Sequence, residues 1–229
     1  MHPLTRTARI TGAFYLGLAI TGTLGFLVIR PQVFIVGDAD STLTAIVGAL
    51  PLARVGLLLE LGTVVTQVFA ALWFFKLFRS VNSFAAGTLA TLGLLNAVAI
   101  LGSAAALSTA LAVADAGYAQ AAVQVSLLIY LSQGFWAVGT VFFGLWLIPM
   151  GYLALTSGYV WRWLSWVLIV GGVGYIVSII IATLAPQATV AVNVLTIPAT
   201  IGELAMFGYL LIRGVNPRAL ATIEETASA

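Results

Sequence analysis

The sequence predicts an all-α, polytopic membrane protein with six transmembrane helices, and three observations carry that prediction. Of its 229 residues, 62% are apolar and only 7% charged, against about a quarter charged in an ordinary soluble domain. The charges collect at short breaks, and the apolar runs between them are each long enough to cross a ~30 Å hydrocarbon core as a helix. The breaks themselves alternate between basic and non-basic, as the positive-inside rule requires of a chain threaded back and forth.

The first run, 10–29, follows Arg6 and Arg9 and stops at Arg30-Pro31. It is too long for the apolar region of a signal peptide and ends without a small-residue cleavage pair, so it reads as a retained span. The next runs are 54–75, 85–111, 126–155, 163–184 and 192–212. The fourth is long for one crossing and is expected to tilt, begin in the interface or kink near Pro149. Together they make one transmembrane domain over 1–215, with a short cytoplasmic tail over 216–229.

Orientation follows from the basic residues. One side collects Arg6, Arg9, Lys76, Arg79, Arg162, Arg213 and Arg218; the other holds Arg30 and Arg54 beside Asp38, Asp40 and Asp115. That asymmetry places both termini in the cytoplasm. The longest loop, 31–53, then faces outward. Asp40 or Ser41 is expected to cap a short interfacial helix that carries Leu43, Ile46, Val47 and Leu50 on one face. Spans two and six both finish in Arg-x-Val-Asn, at 79–82 and 213–216; a parallel repeat with a paired cytoplasmic gate would give this, but spans one and five show no matching similarity, which favours arginine snorkelling and asparagine capping where a membrane helix ends.

Composition removes several function classes. A net charge of +2 is too small to imply nucleic acid. Cysteine is absent and His2 is the single histidine, which excludes disulfides, thiolate nucleophiles, histidine-ligated haem or zinc, and Ser-His-Asp chemistry. No cofactor motif is present. Asp-Ala-Asp-Ser at 38–41 has alternating carboxylates but lacks the glycine and distal glutamate of a calcium loop. Gly171-Gly172 and Gly174 lie deep in an apolar helix, where they serve close packing.

Glu60 and Glu203 are the informative side chains. A charge at the centre of a membrane helix costs about 2.5 kcal/mol or more, so such groups face protein or water and often have a role. Thr63 and Gln67 come after Glu60 at i+3 and i+7, and Thr200 precedes Glu203 at i−3, so each glutamate heads a polar stripe. Gln133 in span four and Asn96 in span three, with Ser103 at i+7, add two more polar faces. The candidate ligand-binding set is therefore Glu60, Thr63, Gln67, Asn96, Gln133, Thr200 and Glu203, lining an outward-facing cavity. The competing reading makes the same residues interhelical hydrogen-bonding glue, with Glu60 paired to Arg54.

Three stretches together resemble one known family. They are Val-Gly-Asp-Ala-Asp-Ser-Thr at 36–42 with Arg-Val-Gly at 54–56; Phe-Phe-Gly-Leu-Trp-Leu-Ile-Pro-Met-Gly-Tyr at 142–152, continuing through Ser157-Gly-Tyr to Gly174-Tyr175; and Gly202-Glu203 ahead of Arg213-Gly-Val. The pattern is similar to a bacterial multi-pass membrane family catalogued as domain of unknown function 4386. Trp146 stands where the family pattern would have histidine, and Trp161-Arg162 replaces an expected proline. The resemblance implies the helical membrane fold and a bacterial cytoplasmic membrane, and it brings no activity with it.

Two functions fit. The first is binding or transport of a small amphipathic or hydrophobic molecule, without nucleotide, since no phosphate-binding loop is present. The second is a structural or regulatory subunit packed against a membrane-protein partner or its own copies. An intramembrane enzyme is the weakest option, because a nucleophile, a metal set and a diphosphate-binding aspartate cluster are all missing.

Overall fold

Backbone groups in hydrocarbon must hydrogen-bond within their own segment, which leaves helices as the economical solution for an apolar chain of this kind. The computed structural model describes residues 2–228 and is helical wherever it is regular, with no strand among the described residues. Six helical segments are long and apolar enough to cross a membrane: Pro3–Val33, Leu50–Phe78, Ser83–Ala116, Ala121–Ser157, Arg162–Leu184 and Thr189–Ile212. The protein is a six-span helical membrane protein.

The first span is composite. It runs as α1 (Pro3–Gly22), a π-helical stretch (Thr23–Ile29) and α2 (Arg30–Val33). The apolar run stops at Ile29, yet the helix continues one further turn. Pro31 lies where hydrogen bonding passes from the π stretch to α2, and the charge of Arg30 is met inside the protein. Then come α3 (Ala39–Gly48), α4 (Leu50–Phe78), α5 (Ser83–Ala116), α6 (Ala121–Ser157), α7 (Arg162–Leu184), α8 (Thr189–Ile212) and α9 (Pro217–Ser228). Helix α6 passes through Pro149 without a break. The repeated Arg-x-Val-Asn endings work on the next helix rather than the preceding one. Asn82 Oδ1 accepts from the Ala85 N–H at the start of α5, and Asn216 Oδ1 from the Arg218 N–H at the start of α9.

Two compact units share the six spans. The first comprises Gly17–Thr66 and Ala97–Gly139, and is called the Glu60 unit below. Its core gathers Val33, Phe34, Ile46, Ala53, Leu107, Ala110, Leu111, Val125 and Ile129. Helix α3 contributes to that core: Ile46 is fully buried, Leu43 packs against the cluster and Val47 stays exposed, while Leu50, expected on the same short helix, is instead the first residue of α4 and packs there too. The cap of α3 is Asp38, not Asp40 or Ser41. Its carboxylate accepts from the Ser41 N–H at 2.8 Å and the Ser41 hydroxyl at 2.6 Å, which holds the carboxyl below its ordinary pKa. Gly37, at φ +83°, makes the left-handed turn that lets Asp38 reach this position. Apolar side chains such as Leu58 and Leu127, about two-thirds exposed, suit lipid contact.

The second unit comprises the chain up to Leu16, Gln67–Asn96, and Thr140 onward, and is called the Glu203 unit. Helices α7 and α8 pack closely within it. At Gly171 a Cβ would lie 2.5 Å from Ala199 Cα, so only glycine permits that approach. Tyr15, Phe74, Trp146 and Phe207 form an edge-to-face aromatic group, a geometry that adds to simple area burial.

Candidate functional site

The Glu60 unit brings one charged pair into its interior. The π stretch closes its hydrogen bonds one residue later than an α-helix, and the Arg30 N–H donates to Gly25 O, five residues back. Each such turn carries an extra residue and shifts the side-chain phase of the helix beyond it; π segments often occur at functional sites for that reason. Close approach to α4 completes the placement. A Cβ at Gly56 would lie 3.0 Å from Ile29 Cγ2, so the absent side chain lets the end of the first span settle on α4. Arg30 and Glu60 thereby meet, with side chains only 12% and 5% exposed.

The ion pair is loose in itself and tied together by its neighbours. Arg30 Nη2 lies 3.4 Å from Glu60 Oε1. The same nitrogen donates to Ser132 Oγ at 2.7 Å and lies 3.4 Å from Ser103 Oγ. Ser103 and Ser132 are hydrogen-bonded to each other at 2.6 Å. Ser103 Oγ and Trp136 Nε1 each donate to Glu60 Oε1 at 2.5 Å. Four spans thus contribute: Arg30 from the first, Glu60 from α4, Ser103 from α5, Ser132 and Trp136 from α6. Phe26 lies under the guanidinium, 5.1 Å from Cζ to ring centroid, and its ring is 4.8 Å from that of Trp136.

Two polar atoms stand outside this network. Every bond to Glu60 ends on Oε1, leaving Oε2 without a protein donor among the described residues. Arg30 Nη1 is buried without an acceptor. Both residues line a recess whose other walls are mostly apolar: Phe26, Ile29, Val33, Phe34, Leu107 and Ile129. Thr21, Gly22, Gly25, Ala53, Gly56, Thr63 and Trp136 complete the lining. Its cavity volume is about 20 Å³. As it stands it has room for about one water, and an amphipathic ligand needs it to open.

The residues singled out from the sequence divide between the two units. Glu60 and Thr63 are buried in the Glu60 unit and line the recess; the Thr63 hydroxyl is occupied by Leu59 O, one turn back. Gln133 is half-buried in the same unit. Gln67, Asn96, Thr200 and Glu203 belong to the Glu203 unit. There Gln67 is fully buried with neither amide atom bonded, and Asn96 Nδ2 and the nearby Trp146 Nε1 are also unmatched. Glu203 accepts from the Tyr15 hydroxyl at 2.7 Å. Thr200 is exposed and bonds back to Thr196 O.

Sequence reasoning misses Arg30, Ser132 and Trp136, and finds Ser103 only as a companion of Asn96. Arg30 reads as an outer-loop charge because it stands before a proline. The signal that could have found it is the unbalanced Glu60: a carboxylate at that depth needs a cation, and Arg30 and Arg54 are the two on its side. Arg54 instead pairs with Asp115 at 3.3 Å, both more than half exposed.

No curated protein and no solved structure matches this chain. A family's sequence model does match, over residues 10–214, and so takes in the first span from residue 10, the other five spans and every residue of the Arg30–Glu60 cluster. The chain therefore belongs to the family described as Domain of unknown function (DUF4386).

Proposed function

We propose that this protein binds, or moves through the membrane, a small amphipathic or hydrophobic molecule, and that the recess at Arg30 and Glu60 is where it is held. The observation that carries the reading is a recess with apolar walls and an ion pair set among them, which leaves Arg30 Nη1 buried without an acceptor and Glu60 Oε2 without a protein donor among the described residues. Buried polar atoms are nearly always hydrogen-bonded, and one that is not calls for a water, an ion or a ligand. A membrane-embedded pocket with a few convergent polar groups and apolar walls matches the general character of small-molecule sites. No phosphate-binding motif is present, so movement would be passive or driven by another gradient.

Gly22→Leu tests this. Gly22 lines the recess, and a Cβ there meets nothing closer than Thr63 Cγ2 at 3.8 Å, so the backbone accepts a side chain that fills the space. Candidate amphipaths that raise the melting temperature of the wild-type protein in lipid nanodiscs should leave the variant's unchanged. An equal response in both proteins would place binding elsewhere.

The narrow free space favours a second reading, in which the cluster is a structural clasp and the protein is a scaffold or regulatory subunit. Under that reading no amphipath stabilises the wild-type protein, and Gly22→Leu changes only its packing.

A further inference from the structure

We infer that the recess selects an amphipath whose head group is uncharged and presents one hydrogen-bond donor and one acceptor. A hydroxyl, a primary carboxamide and an un-ionised carboxylic acid all qualify. The inference rests on the binding reading above and deepens it. Three features carry it.

First, the two charges at the polar end compensate each other. Arg30 and Glu60 are within 3.4 Å and almost wholly withdrawn from solvent. A phosphate or carboxylate head would gain Arg30 but bring an unmatched negative charge beside Glu60, and an ammonium head would meet the converse. Either adds an uncompensated charge to a poorly solvated site, which is the costly case for buried ions. Second, what the protein leaves open is one of each kind. Arg30 Nη1, enclosed by protein and reached only as the recess opens, has hydrogens and no acceptor, and Glu60 Oε2 has lone pairs and no donor among the described residues. A group that both donates and accepts completes the two together; a pure acceptor or a pure donor completes one. Third, Ser103, Ser132 and Trp136 already hold the inner atoms, Nη2 and Oε1. The pair is therefore fixed in place and not free to open around an incoming ion. The remaining walls, from Phe26 and Ile29 to Leu107 and Ile129, are apolar and suit a hydrocarbon tail.

A series of photoreactive probes tests the inference. Each carries the same diazirine-bearing alkyl tail, with a hydroxyl, primary carboxamide, phosphate or trimethylammonium head. The full chain in phosphatidylcholine nanodiscs is irradiated with each probe, and labelled peptides are mapped with and without excess unlabelled alkanol. Labelling of the recess is the part that the alkanol displaces and that Gly22→Leu abolishes. The hydroxyl and carboxamide probes should label residues such as Ile29 and Leu107 at least fivefold more than either charged probe. Glu60→Gln removes the compensation and should turn the preference toward phosphate. If that variant fails to fold, the wild-type ranking alone decides the matter. Displaceable labelling by the phosphate or ammonium probe equal to that by the neutral probes overturns the head-group selectivity while the recess remains a binding site. If no probe labels the recess, the binding reading itself falls, and this inference with it.

Discussion

Replacing Glu60 with leucine should be among the most damaging single changes in this protein, and replacing Arg30 at the same time should largely undo the damage. In Glu60→Leu the Arg30 guanidinium, 12% exposed, loses its counter-ion and keeps only Ser132 as a close acceptor. Removing one partner of a buried pair costs about 3–5 kcal/mol. The Trp136 indole and the Ser103 hydroxyl lose their shared acceptor as well, and a stranded buried donor costs about 1–3 kcal/mol, so the upper half of the range is expected. Arg30→Met leaves the Glu60 carboxylate buried with two donors and should cost somewhat less. The double variant exchanges a charged pair for two apolar side chains of similar size, which is often neutral or stabilising. Reversible unfolding in mixed micelles, followed by tryptophan fluorescence or circular dichroism, measures all three. The double variant should lie closer to wild type than either single one. Losses that simply add would show that the two residues do not interact, and the account of the site would fail.

Gln67→Met should leave stability unchanged or slightly raised in the same assay, because it removes two buried amide atoms that have no partners and keeps the volume; a loss beyond about 1 kcal/mol would contradict this. Helix α3 should loosen in acid. The Asp38 pKa is depressed on folding by the Ser41 hydroxyl and N–H, so its contribution is complete above the ordinary carboxylate value of 3.8 and disappears as pH falls below it. Protection factors for amide exchange over 39–48, corrected for the intrinsic pH dependence of exchange, should fall in that window, and Asp38→Ala should remove that fall; an unchanged protection profile in the wild-type protein would refute the cap. Both termini are expected in the cytoplasm. Single cysteines at exposed Asp40 and Ala221 of this cysteine-free chain should therefore label differently with an impermeant thiol reagent on intact cells, Asp40 strongly and Ala221 weakly; the reverse would invert the topology.

How much was legible divides along physical lines. Span number came through because the bilayer imposes it: an apolar run of fixed minimum length is a one-dimensional signal that needs no partner. Span ends were less legible. Arg30-Pro31 has the sequence of a helix stop and is instead a helical turn, since Glu60 from another span neutralises the arginine and the proline falls where the π stretch gives way to α2. The α3 cap lies at Asp38 rather than Asp40 or Ser41 because Gly37 turns the chain at an earlier residue than apolar spacing suggests. Within the site, Glu60 stood out by depth alone. Its company did not, because Ser103, Ser132 and Trp136 are ordinary residues of membrane helices whose roles arise only when the spans converge. The π stretch that turns Arg30 inward leaves no local mark either: Thr-Leu-Gly-Phe-Leu-Val-Ile at 23–29 reads as an unbroken apolar helix.

The central claim is that the recess at Arg30 and Glu60 holds an amphipathic molecule. A density map of the protein reconstituted with lipids from its own membrane, at a resolution that separates side-chain atoms from ligand, tests this most directly. The account predicts elongated density along Phe26, Ile29, Leu107 and Ile129, with its polar end within hydrogen-bonding distance of Arg30 Nη1 and Glu60 Oε2. A recess closed by protein side chains, or holding a single water between those two atoms and nothing along the apolar walls, would contradict it.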